Sequence, residues 1–123
     1  MDKLDKIFEM QKKFQDELIS RRALGDIPME RWLQMQTLAM LSELAELIDE
    51  VNFKWWKNPK PVDDDRVREE LVDILHFFVS MCIHAGLSSN ELFDRYMRKN
   101  QENFDRQDGK TGREGYKIDA PSG

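Results

Sequence analysis

Apolar residues recur along this chain at three- and four-residue intervals, and strict alternation is absent, so helices are expected throughout. Four can be drawn. The first runs from about Lys3 to Leu24 and stops near Gly25. The second begins after Asp26-Ile27-Pro28, with proline suited to a first turn, and runs to about Trp56, where Asn58-Pro59-Lys60-Pro61 ends it. The third starts among Asp63, Asp64 and Asp65, whose charge suits a helix N-terminus, and ends near Gly86. Ser88-Ser89-Asn90-Glu91 reads as a capping box that opens the fourth, which reaches roughly Phe104. From Gln107 onward glycine rises and the apolar period disappears. The expected architecture is an all-α bundle of about four main helices. It comprises a helical domain over residues 1–106 and a flexible C-terminal tail, 107–123, with the core completed by dimerisation.

The polar positions on the two middle helices carry the chemistry. On a helix, residues three apart are neighbours on one face. Glu43 and Glu46 have this spacing on the second helix, Glu70 and Asp73 on the third. The short connection from Lys57 to Pro61 makes those helices antiparallel neighbours, so the two pairs can face each other. At about 100° per residue, the second helix places Leu38, Met40, Leu41, Leu44, Ala45, Leu47, Ile48 and Val51 on one half. Ser42, Glu43, Glu46 and Glu50 fall on the other half, and taken alone Glu43 and Glu46 read as a solvated face. The third helix differs. Val67, Leu71, Ile74, Leu75, Phe78, Val79, Cys82 and Ile83 cover a wide arc, extended by Phe77 and Met81. Glu70 sits on its border, while Asp73, His76, Ser80 and His84 fill the narrow polar stripe. A carboxylate on so apolar a helix points to a site.

Four converging carboxylates need compensation, since two unit charges ~4 Å apart repel by about 4 kcal/mol at an effective dielectric near 20. Either protons or a divalent cation supply it. An all-oxygen donor set favours Mg²⁺, with Mn²⁺ as a substitute, over zinc. Magnesium held by a few carboxylates suits phosphoryl chemistry.

Length and charge narrow the classes. The chain has 123 residues, enough for one domain, with 35 % charged residues and a net charge of −5. That charge argues against a nucleic-acid partner held through phosphates. The single cysteine, Cys82, allows no internal disulfide and reads as a core residue. No run approaches a membrane span and the N-terminus lacks a signal-type segment, so no membrane and a cytoplasmic location are expected. His76 and His84 lack zinc-pair spacing; His76 reads as a satisfied buried histidine, and Phe8, Met10 and Phe14 as core. Asp108-Gly109-Lys110-Thr111 lacks the first glycine and the strand of a P-loop.

Glu43-x-x-Glu46, a gap of 23 residues, then Glu70-x-x-Asp73 resembles the metal motif of the all-α nucleoside triphosphate pyrophosphohydrolases, the superfamily of the MazG-like enzymes and the dimeric dUTPases. Three further matches point to the dimeric dUTPases. Trp55-Trp56-Lys57 resembles their base-pocket segment. Lys99-Asn100-x-x-Asn103-Phe104-x-Arg106-Gln107 with Gly115-Tyr116 resembles their C-terminal nucleotide motif. Phe8-Glu9-Met10-Gln11 and Gln15 resemble their N-terminal segment, where amides contact uracil. The chain departs from them in its compactness and in the long spacer Asp108–Glu114.

The resemblance implies Mg²⁺-dependent cleavage of a deoxynucleoside triphosphate, dUTP foremost, to the monophosphate and pyrophosphate by a homodimer or larger homo-oligomer. It implies Glu43, Glu46, Glu70 and Asp73 as metal ligands, with Glu43 or Glu46 acting on the water. Gln11, Gln15, Trp56, Lys57, Lys99, Asn103, Arg106 and Tyr116 would bind substrate. Lys99 and Arg106 lie seven apart and could neutralise phosphates; otherwise they form a solvated basic face. Trp56 either stacks on the base or caps the core. Gln11 and Gln15 could equally be exposed helix polarity. The tail, with Arg106, Lys110, Arg113, Tyr116 and Lys117, is either a lid or a frayed terminus. The alternative function is a non-catalytic helical interaction module or a nucleotide-binding regulatory module.

Overall fold

The computed structural model describes residues 1–116, and among them the chain forms four helices and no strand. They are α1 (Lys3–Arg21), α2 (Met29–Glu50), α3 (Asp64–His84) and α4 (Ser89–Gln107), an all-α bundle as expected. Lys117 and the rest of the tail lie outside the described residues.

Local chemistry sets the helix ends. Asp2 caps α1, its carboxylate accepting from the Asp5 amide at 2.8 Å while the Asp5 side chain reaches back to the Asp2 amide. Helix α1 stops at Arg21, before the expected Leu24, where Ala23 takes the left-handed conformation (φ 53°). Helix α2 stops at Glu50, six residues before the expected Trp56. Asn52 is left-handed (φ 59°), and its side chain donates to the Lys60 carbonyl at 2.7 Å and accepts from the Lys60 amide at 2.9 Å. That two-point clamp closes a loop where the periodicity suggested more helix. Asp63 begins α3 by accepting from the amides of Asp65 (3.1 Å) and Arg66 (3.3 Å), and Gly86 ends it at φ 75°.

Side-chain bonds define the directions. Gln36 meets Ser80, Thr37 meets Met81, and Glu50 meets Arg66, so α2 and α3 run antiparallel. Gln11 meets His76 and Gln15 meets Ser80, so α1 runs parallel to α3. Helix α3 packs against both α1 and α2 and is the central element.

Burial departs from simple amphipathicity. Val79, Cys82 and Phe8 are buried, but so are Gln15, Glu50, Glu70 and Ser80. Most of the apolar half of α2 faces outward, with Leu38 64 % and Leu41 54 % exposed and Leu44, Ile48 and Val51 also exposed, while Met40 and Leu47 are half-buried. On α3, Leu71, Leu75 and Phe78 are exposed too. Met10 and Phe14 are not core either: both are exposed on α1. Polar groups of α2 and α3 meet across the helix pair: Gln36 bonds Ser80, Glu50 pairs with Arg66, and Glu43 and Glu46 lie beside Glu70. Glu50 illustrates this: it is buried yet bridged to Arg66 at 3.2 Å and Lys60 at 3.9 Å.

The chain divides after Ser88 into two compact units, the second containing α4. No single helix among the described residues is long and apolar enough to cross a membrane.

Candidate active site: a carboxylate cluster and an adjoining cavity

Antiparallel packing brings Glu43 and Glu46 of α2 to Glu70 of α3. Each offers a carboxylate oxygen, and the three oxygens lie within 4.8 Å of one another. Glu46 is exposed, Glu43 half-buried and Glu70 buried. One oxygen of Glu43 and one of Glu70 (both Oε2) are buried with no hydrogen-bond partner among the described residues. Burial pushes the Glu70 carboxyl up to about 7, helped by hydrogen bonding to Glu43 and Glu46 and by their charges. Without a cation, this cluster therefore holds a proton near neutrality. Hard oxygen donors, two of them buried and unpaired, fit a Mg²⁺ or Mn²⁺ ion. Taken alone Glu43 reads as part of a solvated face; it is half-buried, with a carboxylate oxygen beside that of Glu70 across the helix pair. Asp73, one turn along α3, falls outside the group of three and is half-buried.

Beside the cluster, a cavity of about 830 Å³ lies within the first unit, and Glu43 and Asp73 are part of its wall. That volume is of the size that takes a small organic ligand. The wall is mostly apolar, with Phe14, Leu75 and Phe77, and its polar groups are linked. The Gln11 carbonyl oxygen lies 2.8 Å from His76 Nδ1. Gln36 Nε2 donates to the Ser80 hydroxyl at 2.7 Å, and that hydroxyl donates to Gln15 Oε1 at 2.6 Å. Gln36 Oε1 is buried without a partner among the described residues. Trp32, also in the wall, stacks on His84 at 4.7 Å with the rings 12° from parallel. Burial pushes the His84 pKa below its ordinary value.

Of the substrate residues expected from sequence, Gln11 and Gln15 line this cavity. His76 is satisfied, by Gln11, but it is exposed rather than buried. Trp56 lies in the α2–α3 loop, 60 % exposed, edge-on to Trp55 at 4.7 Å and to Phe53 at 6.2 Å, away from the cavity wall. Lys57 lines a separate hollow of about 360 Å³ with Asp49, Asn52 and Lys60. Lys99, Asn103, Arg106 and Tyr116 belong to the second unit. There Arg106 donates to Glu102 at 3.0 Å and to Asn103 at 3.3 Å.

Sequence reasoning missed Lys6, Trp32 and Gln36, all in the cavity wall. A signal existed for two of them. Gln36 lies two turns before Glu43 and Trp32 one turn before Gln36, so they continue the face that carries the carboxylates.

Residues 3–91 match the family model described as dUTPase. A segment of 48 residues, 39 % of the chain, is 44 % identical to a dCTP pyrophosphatase of Enterobacteria phage T4 and covers 28 % of that protein. A segment of 59 residues, 48 % of the chain, is 41 % identical to a dCTP pyrophosphatase of Enterobacteria phage LZ5 and covers 34 % of it. A third relative, the uncharacterized protein YpjD of Bacillus subtilis (strain 168), is 37 % identical over 68 residues, covering 50 % of this chain and 61 % of that one. The chain thus spans about a third of the length of the phage relatives it matches. No solved structure matches it significantly.

Proposed function

We propose, for a chain that belongs to the dUTPase family, that it hydrolyses a deoxynucleoside triphosphate, dUTP foremost, to the monophosphate and pyrophosphate with Mg²⁺ as cofactor. The observation that carries this reading is the convergence of Glu43, Glu46 and Glu70, with buried unpaired oxygens, at the edge of a nucleotide-sized cavity.

Glu43, Glu46 and Glu70, with Asp73 beside them, would hold the ion. When bound, Mg²⁺ supplies Lewis acidity and neutralises phosphate charge; Mn²⁺ is the expected substitute. Glu46, the exposed member, or its neighbour Glu43 accepts the proton of the attacking water. Water attacks phosphorus directly, in line with the departing oxygen, and no covalent enzyme intermediate forms. Gln11, Gln15 and Gln36 face the base, and Trp32 supplies an aromatic wall. Lys99, Asn103, Arg106 and Tyr116 keep the substrate-binding role that their motif implies, as do Trp56 and Lys57, each open to substitution.

A cytosine nucleotide is the second reading, favoured by the identity to the two phage dCTP pyrophosphatases. Chromatography of the products formed from each deoxynucleoside triphosphate with Mg²⁺ separates the two readings. Monophosphate and pyrophosphate are expected; diphosphate and orthophosphate would overturn the reaction assigned.

The outward apolar positions Leu41, Ile48, Leu75 and Phe78 support a homodimer or larger homo-oligomer in which a second copy covers them. A monomer in sedimentation at micromolar concentration would overturn that.

A further inference from the structure

Ser80 is the middle of a hydrogen-bond chain in the cavity wall. Gln36 Nε2 donates to its oxygen and its hydroxyl donates to Gln15 Oε1. Ser80 is 4 % exposed and Gln15 7 %, so solvent does not compete for these bonds. A serine hydroxyl carries one proton. Spent on Gln15, that proton is not available to Gln36, which must turn its NH₂ toward Ser80. The polarity of one amide therefore fixes that of the other, though the two glutamines sit on different helices. Two groups remain uncommitted by the chain: the NH₂ of Gln15 and the carbonyl of Gln36, the latter buried without a partner among the described residues.

We infer that Ser80 is a positioning residue for base selection, holding Gln15 and Gln36 in opposite polarity so that the cavity offers one donor and one acceptor in a fixed order. The inference rests on the nucleotide reading above. Uracil and cytosine present opposite orders on their pairing edges. Uracil has an N3 donor beside the O4 acceptor, and cytosine an N3 acceptor beside the N4 amino donor. A locked pair matches one base and sets donor against donor, and acceptor against acceptor, with the other. Buried polar groups left unpaired in this way discriminate strongly. Without the hydroxyl each amide turns independently, and either base can be matched. Serine is also both donor and acceptor, so the whole chain can reverse if one end is forced. A carboxylate at position 36 only accepts. Ser80 would then donate to it and accept from the Gln15 NH₂, so that positions 15 and 36 both present acceptors and neither base is matched.

The test is calorimetric affinity of the full chain for dUMP and dCMP, which requires no turnover. The wild-type affinities should differ at least tenfold, with dUMP the tighter. Ser80→Ala should bring the ratio within threefold of one, Ser80→Thr should restore it, and Gln36→Glu, which leaves two acceptors and no donor, should bring it within threefold of one while weakening the binding of both nucleotides. Circular dichroism checks folding, and if Ser80→Ala unfolds, Gln36→Glu decides alone. A wild-type ratio near one, an unchanged ratio in Ser80→Ala, or an unchanged ratio in Gln36→Glu overturns the inference. In those cases the nucleotide reading stands, because nucleotides still bind. Failure of the wild type to bind either nucleotide overturns both.

Discussion

Glu43 on α2 and Glu70 on α3 bring carboxylate oxygens within 4.8 Å of each other, and each keeps one buried oxygen unpaired among the described residues. Like charges so placed cannot all stay ionised without compensation, and their separate helices are held in that arrangement by the rest of the pair. The cluster therefore costs stability unless a proton or cation is present, and that cost can be measured.

The first prediction is a pH dependence of the cation-free protein. Glu70 titrates near 7 when folded against an ordinary 4.5, so between those values the native state binds a proton that the unfolded state has released. The stability contributed by this group is highest below about 4.5, falls as pH rises toward 7, and stays low above it. Thermal unfolding in chelator should give a higher Tm at pH 5.5 than at pH 8. In Glu70→Gln that difference should shrink. An identical difference in both proteins would contradict the assignment.

Divalent cations should remove the same cost. Mg²⁺ at pH 8 should raise the Tm of the wild type, because it binds the assembled cluster and not the unfolded chain. Glu43→Gln and Glu70→Gln should abolish the rise. Asp73→Asn, outside the group of three, should keep part of it. A full rise in Glu70→Gln would place the cation elsewhere.

The aromatic wall can be assigned by substitution. Trp32→Ala should weaken dUMP binding by about 1–3 kcal/mol, the range for base–aromatic stacking. Trp56→Ala should lose less, since that ring is 60 % exposed and packs on Trp55 outside the cavity wall. The reverse ranking would restore Trp56 as the base contact.

The tail is testable by truncation. Gly109 and Gly112 are left-handed (φ 74° and 64°), conformations that follow from glycine's missing side chain. Basic Lys110 and Arg113 lie among them. Deleting the residues after Gln107 should keep the helical circular dichroism and lower kcat/KM at least tenfold. Normal turnover by the truncated chain would reduce the tail to a terminus.

Much of this was legible in the chain itself, for identifiable reasons. Helix α3 begins where three aspartates crowd together because a cap is a local interaction, and Asp63 needs only the next two or three amides. Glu70 stood out because it interrupts an apolar arc. The end of α2 was not legible: Asn52 stops it by clamping Lys60, eight residues away, through a loop whose shape periodicity does not encode. Nor was the direction of the apolar stripes. An amphipathic pattern says that two faces differ, but not which one meets the neighbouring helix, and here polar groups of α2 and α3 do. Ser80 and Gln36 are 44 residues apart, and only the antiparallel register joins them.

The most direct measurement is pyrophosphate release from dUTP at saturating Mg²⁺, wild type against Glu70→Gln. The account predicts steady release by the wild type, none above background in chelator, and at least a hundredfold loss in Glu70→Gln with helicity intact. Near-wild-type release by Glu70→Gln would contradict it, because the buried carboxylate on which the cluster is built would then be dispensable.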